Sequence, residues 1–421
     1  MKKTLLILFV ALYQFGFCDK YVWNSKAPLP ADPRHRSCAL SIGNKGYMGM
    51  GRVHTYSSSG GSVVWINYND WWEYDPATNA WSQKADAPFG FNTGATFSIG
   101  GKGYVGTGDG AITPPGSGTY YGPGFGESNY FIMYDPILNT WTRKADVPIS
   151  QCESIGFSIN GKGYIGAGRS YSGASSIPLC EYNPVTDTWT ILPYTNAIRS
   201  SRMPCAFVCN NKGYILESCY DTYSTYTTIT KFWEFDPASS TVAVKATFIG
   251  TTPVGCTAFS VKGIGYIGLG GARDFYTYDP FTNIWDTLNK SFPGVHRGYA
   301  PSFVVGDNAY FGTGSNGTNL ADLWCYEWKI SVGINEYDKE SLIKIFPNPT
   351  SDFININLSK AKDVSKLQFK LFTLDGKEVL KSNLIDESTN LDVTHLSNGI
   401  YIYTITDENL KLISSEKIII N

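Results

Sequence analysis

A two-part motif recurs through the first three-quarters of the chain and restricts it to a repeated β architecture. In its clearest copy the first part is ATFSIGGKGYVGTG, residues 95–108, and the second is YDPILNTW, residues 134–141. The first part predicts a tight hairpin. Gly100-Gly101 can take the positive φ that a type I′ turn requires at both centres, and apolar residues alternate on either side. The same slot holds Gly43-Asn44, Asn160-Gly161, Asn210-Asn211, Lys262-Gly263 and Gly306-Asp307, of which only the lysine is a poor turn former. Four residues beyond the first member stands a tyrosine in every copy: Tyr47, Tyr104, Tyr164, Tyr214, Tyr266 and Tyr310. Most copies continue as YxGxG. Alternate residues of a strand share a face, so these glycines leave that face bare and let a neighbouring sheet approach, with the aromatic of the second part as the expected neighbour.

The second part reads YDPATNAW (74–81), YDPILNTW (134–141), YNPVTDTW (182–189), FDPASSTV (235–242), YDPFTNIW (278–285) and a degenerate YEW (326–328). Each is a strand end, a turn and a strand start. The Asp or Asn folds back onto the backbone, proline presets φ, and the tryptophan begins the next strand, so these carboxylates read as turn formers rather than as catalytic or metal-binding groups. The acidic or amide positions 75, 135, 183, 236, 279 and 327 lie 60, 48, 53, 43 and 48 residues apart. A period near fifty with four strands per unit predicts an all-β propeller of six blades.

These residues carry a resemblance: the chain resembles a kelch-repeat β-propeller over residues 20–330. That family includes protein-binding platforms, sugar-processing enzymes and copper-radical oxidases, so the resemblance implies a fold more than an activity. Two departures fall in the fourth unit, where Val242 stands in the tryptophan position and YILES (214–218) replaces the glycine pair. That blade is expected to be the least regular. Residues 19–30, DKYVWNSKAPLP, resemble the segments that follow the YDP turns, such as WSQKADAP (81–88) and WTRKADVP (141–148). The sixth unit lacks such a segment. The amino-terminal strand is therefore expected to become the outer strand of blade six, closing the ring and removing an unpaired edge.

Residues 1–18 read as a signal peptide: two lysines, an apolar run from Leu5 to Phe17, then polar sequence. Bulky Phe17 before Cys18 argues against a lipoprotein, and no other apolar run reaches the roughly twenty residues of a membrane span. The composition agrees with an exported β protein: charged residues are 17% and Gly numbers 43 of 421. A net charge of -2 gives no overall reason to expect nucleic acid or a charged membrane surface as partner. Beyond Cys18 eight cysteines remain, at 38, 152, 180, 205, 209, 219, 256 and 325, and their pairing, if any, cannot be chosen from spacing.

Past Trp328 the composition changes, and residues 331–344 read as a linker. Residues 345–421 alternate apolar and polar positions around Asp375-Gly376 and Asn398-Gly399 turns, which predicts a small β-sandwich. This segment resembles the carboxy-terminal sorting domain of the type IX secretion system of Bacteroidota. The pattern elements are Pro347-Asn348-Pro349, Asp375-Gly376-Lys377, Gly399-Ile400-Tyr401 and Lys417. The resemblance implies an address read by the secretion machinery at the outer membrane and usually cleaved, with no activity of its own.

Strand order sorts the loops. The hairpin turns lie on one face, and the opposite face receives the long Tyr, Ser and Gly-rich connections at 52–67, 109–128, 169–176 and 219–228, a composition suited to recognition. The segments arriving at the six innermost strands ring the mouth of the central channel on that face. They supply Arg34, Arg36, Arg199, Arg202 and Arg297 of only nine arginines, together with His35 and His296. Kelch propellers often place arginines there against acidic partners, which the resemblance implies. Convergent guanidinium groups suit a carboxylate, sulfate or uronic acid, with Tyr56, Tyr120, Tyr121 and Tyr220 stacking on the rest of a glycan or protein ligand. The competing role is structural pairing with carbonyls or Glu153. An enzyme of the kelch group, a sugar mutarotase or a galactose-oxidase-like enzyme, is the alternative function. His35 and His296 lack an evident third metal ligand, and no cofactor is expected.

Overall fold

In the computed structural model, residues 20–421 are described except 57–62, 111–125, 171, 218, 223–224, 229–230, 252–253, 289–290, 330–342, 359–366, 385 and 407–411. The expected signal peptide, residues 331–342 of the expected linker, and Tyr120 and Tyr121 thus fall outside the described residues, whereas Ile343 and Lys344, also expected in the linker, belong to the carboxy-terminal sandwich. Each copy of the motif forms a four-stranded antiparallel sheet, and in the first five the strands follow chain order from the centre outward. The inner strands are Cys38–Ile42, Ala95–Ile99, Ile155–Ile159, Cys205–Cys209, Cys256–Val261 and Ser302–Val305, and each touches the next around a closed ring of six blades. Four of the six hairpin turns have the expected positive φ at both centres, while in Gly43-Asn44 and Gly306-Asp307 only the glycine does. Gly100, Gly101, Asn160, Gly161, Asn210, Asn211 and even Lys262 and Gly263 have positive φ. All six hairpin tyrosines are buried.

The glycine expectation needs correction. A Cβ on Gly106 would meet Phe131 and the carbonyl of Tyr130, and one on Gly166 would meet Leu179 and the carbonyl of Pro178. Both obstacles belong to the start of the third strand in the same blade, not to the YDP aromatic. Space between blades is made by the glycine before the tyrosine instead: a Cβ on Gly46, Gly163 or Gly265 would fall inside the ring of Phe303, Phe97 or Phe207, on the inner strand of the preceding blade.

The second half-motif joins the blades. Asp75 Oδ1 accepts from Ala77 N at 3.0 Å and Asp279 Oδ1 from Phe281 N at 2.8 Å, the local turn bonds expected of these side chains. The less obvious residue is the Asn or Asp five places after the tyrosine. Asn79, Asn139, Asp187 and Asn283 all have positive φ, which Asn and Asp tolerate better than other side chains. In blade two, Asn139 Oδ1 accepts from Tyr134 Oη at 2.9 Å and from Ala85 N of the preceding blade at 2.9 Å. Trp141 Nε1 donates to Ala85 O at 2.8 Å, so the backbone of one residue just past the neighbouring outer strand is gripped at both its N–H and its C=O. The same grip holds Ala145 through Asp187 and Trp189, and Ala246 through Asn283 and Trp285.

The ring closes through this device. Strand Lys20–Lys26 is the outer strand of blade six, next to Leu323–Lys329. Ala27 just beyond it donates to Asn79 Oδ1 at 2.9 Å and accepts from Trp81 Nε1 at 2.8 Å. The likeness of WNSKAPLP to the other post-turn segments thus reflects a shared contact. Trp23 packs against Phe275, Phe292, Phe311 and Tyr326, with ring centroids 4.5 to 5.6 Å apart.

Blade four is as regular a sheet as the others, and its irregularity lies at its seam with blade three. Ser240 and Val242 replace the Asn and Trp there, and Tyr194 stacks on Phe235 with centroids 6.3 Å apart in their place. Two of the long connections contain hairpins, Arg52–Tyr56 with Val63–Asn67 and Cys219–Thr222 with Thr225–Thr228.

Residues 343–421 build a separate sandwich from a three-stranded and a four-stranded sheet, with Ile354, Ile356, Phe369, Leu371 and Ile405 buried between them. Two of its sequence motifs, the Pro-Asn-Pro loop and the Gly399–Tyr401 segment, meet the last strand. Asn348 donates through Nδ2 to Lys417 O at 2.8 Å and accepts from Ile419 N at 2.9 Å, fastening the Pro-Asn-Pro loop to the last strand. Gly376 has a φ of 85° in the Asp375-Gly376-Lys377 turn. Tyr401 Oη donates to Ser397 O at 2.7 Å, Gly399 pairs with Ile420, and Lys417 is exposed.

The closure predicts that Trp23→Ala lowers unfolding stability by about 3 kcal/mol, the low end for losing a large packed aromatic. Urea denaturation checks this, and an unchanged midpoint would show that the amino-terminal strand does not hold the ring.

Candidate functional site

The mouth of the channel is built by the segments that arrive at the inner strands. Pairing with the second strand aligns Cys38, Ala95, Ile155, Cys205 and Thr257, and Pro301 O accepts from Gly312 N at the matching place in blade six. Two residues before each stand Arg36, Thr93, Glu153, Met203, Gly255 and Tyr299, and all six have φ between 51° and 68°. Five of these are not glycine. A left-handed conformation costs a non-glycine residue on the order of 1 kcal/mol, so each is retained by its surroundings. Those surroundings are partly one another: Arg36 N donates to Tyr299 O at 3.1 Å, Thr93 N to Arg36 O at 3.0 Å and Tyr299 N to Gly255 O at 2.8 Å. Glu153 N donates to Thr93 Oγ1 at 3.3 Å. A belt of hydrogen bonds therefore runs around the mouth from blade five through six, one and two to three.

On this belt the side chains form a charged cluster. Arg36 Nη1 donates to Glu153 Oε1 at 2.9 Å while its guanidinium lies 4.6 Å from the centre of the Tyr299 ring. Arg202, partly exposed, places Nε 3.9 Å from Glu153 Oε2. Two guanidinium groups thus share one carboxylate. Arg36 Nε, Asn92 Oδ1, Gln151 Nε2 and Ser201 Oγ are buried and have no hydrogen-bond partner among the described residues. Inside the mouth lies a channel cavity of 410 Å³ lined by all six inner strands. Its wall hydroxyls are engaged with neighbouring blades: Thr96 donates to Ala39 O at 2.7 Å and Ser302 to Ala258 O at 2.7 Å.

The other expected ligand residues are placed differently. Arg34 and Arg297 are fully buried and serve the frame. Arg297 forks onto Asp322 at 2.5 and 2.7 Å and donates to Thr313 O at 3.1 Å. Arg34 pairs with Asp70, donates to Met50 O at 3.2 Å and stacks on Tyr68. Both aspartates also accept from a tryptophan two residues on, Trp72 at 2.9 Å and Trp324 at 2.7 Å, so the same lock fixes the third strand in blades one and six. This is the structural role weighed against ligand binding for arginines of this kind.

His35 is buried, with Nδ1 2.8 Å from Asn319 Oδ1 and Nε2 accepting from Arg52 Nε at 3.4 Å. Both ring nitrogens are engaged within the protein. His296 and Arg199 are exposed at the mouth. The backbone N–H of Arg199 donates to Glu217 Oε1 at 2.7 Å, and Trp233 Nε1 donates to the same oxygen at 2.8 Å. Burial raises the Glu217 carboxyl above its ordinary range, against the lowering effect of these donors. Tyr56 and Tyr220 lie on the two loop hairpins, whose side chains here are outside the described residues, as are Tyr120 and Tyr121. Among the described residues, no group of three or more His, Cys, Asp or Glu side chains is arranged to hold a metal ion. Sequence reasoning did not single out Tyr299, Thr93, Asn92 or Gln151. The one available signal was their place in the short segments that lead into the inner strands.

Comparison with known proteins agrees with this geometry. Residues 344–421 match the secretion system C-terminal sorting domain. An F-box/kelch-repeat protein of Arabidopsis thaliana is 32% identical over 85 residues, which are 20% of this chain and 22% of that protein. The solved structure of YjhT superposes with a TM-score of 0.52 at 14% identity, covering 72% of this chain and 95% of that one. The chain is a kelch-type β-propeller with a carboxy-terminal sorting domain. At such low identity the likeness to YjhT shows the fold alone, and the match to the plant protein spans about a fifth of that relative. The sorting domain implies export of the kelch propeller by the type IX secretion system.

The division between frame and mouth predicts that Arg34→Ala destabilises the kelch propeller by about 3 kcal/mol, since Asp70 is left without its buried partner. Arg199→Ala at the exposed mouth should change stability by less than about 0.5 kcal/mol. Parallel urea denaturation curves check the contrast, and equal effects would contradict it.

Proposed function

We propose that the kelch propeller is a secreted or cell-surface binding module that takes an acidic glycan, or an acidic group on a protein, at the channel mouth. Its sorting domain engages the type IX secretion machinery, and residues 1–18 direct passage across the inner membrane. The observation that carries the binding reading is the charge balance at the mouth. Arg36 and Arg202 share the single carboxylate of Glu153, and Arg199 and His296 stand exposed on neighbouring segments. A carboxylate or sulfate arriving there meets a cluster of guanidinium groups, of which the partly exposed Arg202 can offer it a charge-assisted pair of hydrogen bonds. The belt of left-handed residues keeps these groups on rigid backbone, which reduces the ordering cost of binding.

Screening the full chain against acidic and neutral glycans at low and high salt tests this reading. Acidic glycans are expected to bind, salt to weaken them, and Arg202→Ala to reduce affinity about tenfold, as for loss of a hydrogen bond to a charged group. Equal binding of neutral glycans without salt dependence, or unchanged affinity in Arg202→Ala, would overturn it.

A further inference from the structure

We propose that Cys205 and Cys256 are joined by a disulfide in the exported protein, tying the inner strands of blades four and five at the channel mouth. The two sulfurs lie 3.1 Å apart across the seam, at positions 51 residues apart in the chain. The equivalent junction between blades one and two shows why this contact is built rather than incidental. Cys38 stands where Cys205 stands, and the residue opposite is Gly94, so the Cys38 thiol meets only Gly94 O at 3.7 Å. A Cβ added to Gly94 would sit 3.0 Å from Cys38 Sγ. That is about the separation between a Cβ and the far sulfur of a disulfide whose S–S bond is ~2 Å. At the seam of blades four and five the glycine is replaced by Cys256, one residue before Thr257, and the geometry acquires its second sulfur.

Export delivers the pair to an oxidising environment, where such bonds form and persist. The oxidant is a disulfide, either that of an oxidised thiol–disulfide oxidoreductase or a small-molecule one. Both cysteines line the channel cavity, and Cys256 is half-buried where Cys205 is buried, so Cys256 is the more accessible sulfur and the one that meets the oxidant. Its thiolate attacks one oxidant sulfur, the oxidant S–S bond breaks and one thiol leaves. The Cys205 thiolate then attacks Cys256 Sγ and expels the second oxidant thiol. The two cysteine protons end on the two oxidant sulfurs, and two electrons reduce the oxidant. Arg202 lies three residues before Cys205 and Gly255 immediately before Cys256, so the bond fixes two adjoining segments of the mouth. This goes beyond the binding reading and does not depend on it.

The full chain collected from an oxidising medium is denatured, alkylated without reductant and mapped by mass spectrometry. The expected result is a cross-linked pair of peptides containing Cys205 and Cys256, both unalkylated and together two hydrogens lighter than after reduction. Reductant should lower the melting temperature of the wild type, while Cys205→Ser should melt at the reduced wild-type temperature with or without reductant. Full alkylation of both residues before reduction, or bonding of either sulfur to a different cysteine, would overturn the proposal, and neither outcome bears on glycan binding.

Discussion

The kelch propeller depends on four alanines just past outer strands being gripped from the next blade. A sheet of four strands ends in backbone groups that no fifth strand will pair, and six such edges leave six places where the ring can open. At four seams an Asn or Asp in the left-handed region accepts the N–H of an alanine while a tryptophan donates to its carbonyl, both across the seam. The acceptor is itself oriented by the hydroxyl of a buried tyrosine of its own blade, as in Tyr74 to Asn79 at 2.7 Å. Position, backbone conformation and side-chain chemistry are therefore specified together. Where Ser240 and Val242 break the pattern, the seam is filled by Tyr194 and a different packing.

Much of this was legible in the sequence and some was not, for reasons that particular residues make clear. The hairpins could be read because a two-residue turn is local: Gly100-Gly101 declares its conformation without reference to anything distant. The ring closure could be read because Trp23 and Ala27 sit in the same spacing as Trp81 and Ala85. The role of Asn139 could not, since its partners are a tyrosine five residues back and an alanine 54 residues back. The role of the YxGxG glycines was misassigned for a related reason. Strand alternation shows which face is bare, but not whether the neighbouring blade or the next strand of the same blade occupies the space. Cysteine pairing escaped because it turns on an offset of one residue between blades.

The arginines show how one residue type serves two ends of the same architecture. Arg34 and Arg297, four residues ahead of the aligned positions, turn inward to lock Asp70 and Asp322 and the tryptophans beyond them. Arg36, two residues nearer the strand, is turned by its positive φ onto the mouth, where Glu153 and Tyr299 receive it. Spacing in the sequence placed all of them at the mouth, and only burial separated frame from rim. The same logic organises the sorting domain, where Asn348 draws a distant loop onto the final strand.

The central claim is that the cross-seam grips hold the ring shut, and native-state hydrogen exchange of the alanine amides tests it most directly. Ala27, Ala85 and Ala246 sit in exposed segments, where an unheld N–H would exchange through local fluctuation. If the grips hold, these amides exchange only with the free energy of opening a whole blade, and Asn139→Ala accelerates Ala85 alone among them. Rapid exchange at all of these amides in the folded wild type would show that the ring is held by core packing and that the grips are incidental.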